Sequence, residues 1–314
     1  MANSEAIAGV HSYLLYGQES TYNTAVTATT HFGLVRTFTP KTNNNNKYQR
    51  GFKGTTTGGR NAAGKVSGIV DNALTVEMDV INWFFLEYIL GAAAGSDPYT
   101  YTESDLPPSI TIARAIDNPG AAATDRDEIW SGTVIDSVTI KASVGEAVTA
   151  NFEMKTAGHY FDTTIHSAVA LPTVDLYTFA GASIELPSGT SLDNIIESVE
   201  LTISNNYKMQ PGLGSRFNRN ALPAERDYKI KISLKYLDNT ILQALLGAAV
   251  PTGTTEPTEY ASLVLNFERG TKSAVFTFAT FYFDDLTGKE NVNEIIGEDI
   301  PGTAFSLSVV EDNT

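Results

Sequence analysis

The sequence predicts a mainly β protein made of two tandem β-sandwich domains, each carrying one short α-helix. Three observations predict it. Apolar residues alternate with polar ones along most of the chain. Only two segments have a helical pattern with a cap and a stop. The second half repeats the order of features in the first at a nearly constant offset.

The alternation is clearest in 73–79, where Leu74, Val76 and Met78 share one face, and in 109–113, 134–140 and 148–154. It returns in 198–203, 228–236, 262–267 and 274–283. A period of two means antiparallel strands with one packed face and one solvated face. Clusters of Gly, Pro, Asn and Ser separate the runs and mark turns.

The helical segments are 82–90, opening on Asn82 and stopping at Gly91, and 238–246, opening on Asp238 and stopping at Gly247. Each has a capping residue before it and a glycine suited to the left-handed C-terminal position after it. The two glycines lie 156 residues apart. The same offset sets Leu74, Val76 and Met78 against Ile230, Ile232 and Leu234, and Gly58-Gly59-Arg60 against Gly214-Ser215-Arg216. Beyond the helices an offset of 153 sets Ile110 and Ile112 against Leu263 and Leu265, and Phe152 against Phe305. Faces, cap, stop and Gly-x-Arg motif in one order point to internal duplication. The expected domains are 1–166 and 167–314, with the seam near Thr164 to Pro172.

Length agrees with that division, because 314 residues exceed the usual size of one domain. Hydrophobic residues make up 42%, enough for two cores, while charged residues are 18%, below the roughly 25% of ordinary soluble domains. Part of the surface is therefore expected to be covered by partners. The chain has no cysteine, which excludes disulfides, thiolate metal sites and cysteine nucleophiles and fits assembly inside a cell. The N-terminus lacks the pattern of a secretory signal. The apolar stretch 83–94 is too short to cross a bilayer, so no membrane partner is expected. A net charge of −15 without any Lys/Arg run argues against gripping a phosphate backbone. An acidic wall would instead repel it.

Catalytic motifs do not hold up. Gly59-Arg60-Asn61-Ala62-Ala63-Gly64-Lys65 has phosphate-loop spacing, but Val66 stands where Ser or Thr should hold magnesium, and strand rather than helix follows. His11, His31, His159 and His166 are scattered without zinc-ligand spacing. Asp125, Asp127 and Glu128, like Asp284, Asp285 and Glu290, lack a calcium-loop pattern. Tyr99, Tyr101, Trp130, Phe278, Phe281 and Tyr282 could stack sugars, or could be core. No enzyme, cofactor or metal is expected. The contact candidates are Arg60 and Arg216, at matching places in the two halves, with Lys47, Tyr48 and Arg50 in the longer polar loop of the first. Each arginine either locks one domain to the next through a salt bridge or is a surface residue carried through duplication.

The order Gly17-Gln18-Glu19-Ser20-Thr21-Tyr22-Asn23-Thr24, Phe32 to Phe38, Gly58-Gly59-Arg60, then strand and helix ending Leu90-Gly91-Ala92, resembles the tail tube proteins of tailed phages and related archaeal viruses. Gly132 to Ile140 is similar to theirs as well. That resemblance implies tail-tube-type β-sandwiches whose inner strands join around a lumen, and rings that stack into a conduit for genome ejection. A duplicated chain would then close as a homotrimer with pseudo-sixfold symmetry. Tape measure, terminator and tip proteins would be partners in the virion tail, assembled in the host cytoplasm, with DNA passing unbound. The alternatives are another tail or capsid component, or a carbohydrate-binding β-sandwich module.

Overall fold

The computed structural model describes residues 12–50, 62, 64–116, 126–162, 174–187, 189–193, 195–236, 238–290 and 296–314. The chain is mainly β. Its first elements are β1 (Ser12–Gln18), β2 (Thr30–His31), β3 (Leu34–Asn43), β4 (Lys47–Gln49), β5 (Gly64–Val66) and β6 (Asp71–Asp79). Helix α1 (Leu86–Leu90) follows, then β7 (Gly91–Ala94), β8 (Tyr99–Glu103), β9 (Ile110–Ile116), β10 (Arg126–Ser143), β11 (Thr149–Thr156) and β12 (Gly158–Asp162). Later come β13 (Ala182–Glu185), β14 (Ile196–Ser204), β15 (Lys208–Gln210), β16 (Asn220–Leu222) and β17 (Asp227–Lys235). Helix α2 (Thr240–Leu246) precedes β18 (Tyr260–Arg269), β19 (Lys272–Phe283), β20 (Thr287–Lys289) and β21 (Gly297–Asp312).

One antiparallel sheet of eight strands crosses the whole molecule in the order β3–β6–β11–β10–β14–β17–β21–β20. Its middle is the pairing of β10 with β14, from Ser137 opposite Ser204 to Ser143 opposite Ser198. Two long strands also serve other sheets. The start of β10 pairs with β9 and β12, and β9 leads on to β1 and β2. The end of β21 pairs with β19 and β8, and β19 leads on to β18 and β13.

The pairing order recurs along the chain. β3–β6–β11 in the first half is matched by β14–β17–β21 in the second, and β1–β9–β10 by β13–β18–β19. A two-stranded hairpin, β4–β5 or β15–β16, stands between the first two strands of each series. The bulge that skips Arg36 in β3 has a counterpart skipping Glu197 in β14. Two residues beyond the end of each strand, Asn45 and Asn206 take positive φ, 43° and 50°. Asparagine tolerates that left-handed conformation better than most residues do.

Apolar residues from both halves fill one continuous core. Trp83 is fully buried, its ring 5.1 to 5.3 Å from those of Tyr177, Phe267 and Phe276. This packing corrects the expected first helix. Asn82 and Trp83 are irregular, residues 84–85 form a turn rather than helix, and α1 begins at Leu86 with Phe85 in the N-cap position. Trp83 and Phe85 are both fully buried, so tertiary burial overrides the local pattern. The stop holds, with Gly91 at φ 106° and Gly247 at φ 78°. A second correction concerns Phe305, which is 67% exposed where Phe152 is fully buried. Across the ladders Phe152 faces Val76, and Ile300 faces Ile232, so Ile300 is the residue matching Phe152.

Candidate functional site

The eight-stranded sheet has one face on the core and one face open. Alternation decides which side chains lie on each. In β6, Leu74, Val76 and Met78 are buried while Ala73, Thr75 and Glu77 point away; in β17, Ile230, Ile232 and Leu234 are buried while Lys229 and Lys231 point away. The open face carries Thr37, Thr39 and Lys41 from β3, Asn151 and Glu153 from β11, Thr139 and Lys141 from β10, and Glu200 and Thr202 from β14. Across the stretch facing Thr37–Asn43 of β3, as far as β17, it holds no aromatic and no large aliphatic side chain, and Leu34, opposite Asp79, and Val134, opposite Lys155 and covered by Tyr207, stand at its margin. Only at its far end do Tyr282 and Phe305 meet, 5.7 Å apart.

Charges of both signs mix on this face, with Asp79 held by Arg36 and Asp136 held by Lys155 at its margins. Lys41, Lys141, Lys155, Lys229, Lys231 and Lys235 alternate with Asp71, Glu77, Glu153, Glu200, Asp227 and Asp299. Glu200 lies opposite Lys141 on one side and Lys231 on the other. Lys231 Nζ is 3.4 Å from Asp299, and Lys155 Nζ is 2.8 Å from Asp136. Exposed pairs of this kind add at most about 1 kcal/mol each, so they shape the potential more than the stability. Most of the acidic excess of the sequence therefore lies elsewhere.

The middle of the sheet is fastened from both sides of the β10–β14 ladder. Thr139 and Thr202 hydroxyls lie 3.1 Å apart on the open face. At one end Asp136 accepts from the Tyr207 amide at 2.6 Å, and Lys155 donates to the Tyr207 carbonyl at 2.8 Å. Burial pushes the Tyr207 phenol up, so it stays protonated. Asn205 is buried and donates to the Ile89 carbonyl at the end of α1, at 2.9 Å. Arg226 donates to Asn205 Oδ1 at 2.7 Å and to the Ser104 carbonyl at 3.0 Å. A helix C-terminus leaves carbonyls without partners, and Asn205 supplies one.

Among the described residues the two ends of the sheet are single-sided: β3 pairs only with β6, and β20 only with β21. Beside the β3 end, the hairpins β4–β5 and β15–β16 flank a cleft of about 750 Å³ lined by Lys47, Val66, Met209 and Arg216. Arg216 donates to the Gly68 carbonyl and to Asn44 Oδ1, both at 3.0 Å, and its own carbonyl accepts from Val70 at 2.7 Å. Among the described residues its partners are thus a carbonyl and an amide. Lys47, Tyr48 and Arg50 are exposed on the first hairpin and the loop after it. Arg60 lies outside the described residues, as do Asp125 and most of the phosphate-loop-like run.

Several residues weighed for other chemistry are otherwise engaged, while His11 and His166 lie outside the described residues. Trp130, Phe278, Phe281 and Tyr101 are buried in the core. His159 stacks on Trp130 at 4.9 Å, and His31 accepts from the Gly33 amide at 3.1 Å. Burial holds both imidazoles below their ordinary pKa. Glu128 is tied to Arg114. Sequence reasoning missed Asn44, Asn205 and Arg226. The matched pair Asn44-Asn45 and Asn205-Asn206, each just past a strand, was the available signal.

A family model described as phage tail tube protein matches residues 9–304, nearly the whole chain. No curated protein matches it.

Proposed function

The chain belongs to the phage tail tube protein family and is a structural component of a virion tail, and from that premise we propose that it forms the tube itself, as stacked rings enclosing a passive conduit for genome ejection. The observation that carries this reading is the eight-stranded sheet with an open polar face and two ends that are single-sided among the described residues. Unpaired edges are normally blunted or covered, and closure into a ring removes them.

The halves are read as two copies of one domain, 1–166 and 167–314. The recurring pairing order, the matched bulges at Arg36 and Glu197, and the left-handed Asn45 and Asn206 support that reading. Three chains of two domains would then close a ring with pseudo-sixfold symmetry, and complementary top and bottom faces would stack rings into a tube. The lumen would be the open face. A wall of Thr, Ser and mixed charge offers DNA neither a cationic track nor apolar bases to stack on. Tape measure, terminator and tip proteins would meet the ends of such a tube. The exposed Lys47, Tyr48 and Arg50 would serve contacts between rings.

Electron microscopy of the purified protein tests this. Tubes or three-fold rings are expected. A monodisperse monomer that binds glycans on an array would overturn the proposal in favour of a carbohydrate-binding module.

A further inference from the structure

The β10–β14 ladder joins the two halves within one chain, and each of its parts has a counterpart at an end of the same sheet that is single-sided among the described residues. Matching bulges set Thr37–Asn43 of β3 in the place of Ser198–Ser204 of β14. The ladders to β11 and β21 set Thr287–Lys289 of β20 in the place of Thr139–Lys141 of β10. Asn44 then stands where Asn205 stands. The parallel extends to their contacts: Arg226 donates to Asn205 Oδ1, and Arg216 donates to Asn44 Oδ1. In both cases the guanidinium holds the amide oxygen and leaves Nδ2 to donate elsewhere. For Asn205 the acceptor is the Ile89 carbonyl of α1. The residue in that place on α2 is Leu245.

Burial differs between the counterparts in the direction an absent neighbour would produce. In β14, Val199, Leu201 and Ile203 are buried, whereas β3 is exposed or half-exposed throughout. Leu86 and Leu90 of α1 are fully buried, whereas Leu242 and Leu246 of α2 are 38% and 41% exposed.

We propose that a second copy of this chain covers these surfaces in one register: Thr39–Asn43 of one copy pairs antiparallel with Asp285–Lys289 of the next, Lys41 opposite Thr287, and Asn44 caps the neighbour's α2 at the Leu245 carbonyl. The proposal rests on the ring reading above and adds the residues that meet. The alternation agrees with it. Lys41 and Thr287 fall on the open face, as Thr202 and Thr139 do, while Thr42 and the half-buried Leu286 fall on the core side.

Because the chain has no cysteine, paired cysteine variants report this contact without background. The full-length Lys41→Cys/Thr287→Cys protein, assembled and then oxidised, is expected to lose its monomer band and run as covalent dimers and trimers. Thr139→Cys/Thr202→Cys is expected to close within the chain and remain monomeric on the gel. Lys41→Cys/Gly288→Cys shifts one thiol to the other face and is expected to stay unlinked, since a disulfide needs facing Cβ atoms. Asn44→Ala is expected to raise the concentration needed for assembly about tenfold, the effect of one lost hydrogen bond. If rings form but Lys41→Cys/Thr287→Cys stays monomeric while the internal pair closes, the register is wrong and the ring reading survives. Linkage in the shifted pair alone overturns the register too. If the unaltered chain forms neither rings nor tubes, both fail.

Discussion

Glu19 sits just past β1 with four donors on its buried carboxylate: the Asn23 and Gly132 amides at 2.9 and 2.8 Å, and the Ser109 and Thr111 hydroxyls at 2.7 and 2.8 Å. Gly132 lies in β10 at φ 61°, where β10 and β9 fall out of register. Glu19 thereby ties the first strand's exit to the bend of the longest strand. Removing it strands several buried donors, so Glu19→Ala should cost about 3 kcal/mol or more. An unchanged denaturant midpoint would contradict that role. Glu298 presents the opposite case. Burial raises its carboxyl pKa, and Asp238 raises it further. Its charged form therefore weakens the fold above the raised pKa, and the penalty vanishes once pH falls below the ordinary carboxylate range. Glu298→Gln should unfold later than the parent at neutral pH, with the difference closing toward pH 4. The stretch holding Glu19 and the stretch from Gly132 both stood out in the sequence. That one carboxylate joins them did not, because alternation says nothing about which loop meets which bulge.

At the scale of elements, alternation located β6, β10, β11, β14 and β17 of the main sheet, since each buries one face and solvates the other, but did not mark β3, β20 or β21. Helix α1 was less legible. Its start was masked by Trp83, Phe84 and Phe85, whose spacing fits a helix but whose burial is served by irregular backbone and a turn. The offset beyond the helices failed for Phe305 because loops differ in length between the halves. Ladder register, which sequence does not state, sets Ile300 there instead. β21 passes from β17 to β19 and β8 along its length, and Gly302 lies at the passage, opposite both Ile230 and Phe283. A Cβ there would approach Phe281 Cζ to 2.3 Å and the Tyr282 carbonyl oxygen to 2.6 Å. The ring belongs to a fully buried Phe281 and cannot swing away. Gly302→Ala should therefore cost about 1–3 kcal/mol, an overpacking penalty readable as a drop in Tm. A neutral substitution would mean that β21 bends elsewhere.

For the whole molecule, composition indicated an acidic protein unsuited to gripping nucleic acid, but not where the acid lies. The mixture of lysines and carboxylates on the open sheet depends on register across seven ladders, which no local pattern encodes. A wall of mixed charge without a cationic track should not hold duplex DNA at physiological salt. Replacing Glu77, Glu153 and Glu200 with lysine should create binding that weakens steeply as salt rises. Tight DNA binding by the unaltered protein would remove the lumen from this face. Whether copies continue one sheet around a hole is read most directly from averaged end-on images of assembled particles. Three chains per ring, with an unbroken inner wall of eight strands from each, is the expected result. A ring of six chains, or one whose inner wall is interrupted between chains, would contradict three-chain closure of the sheet.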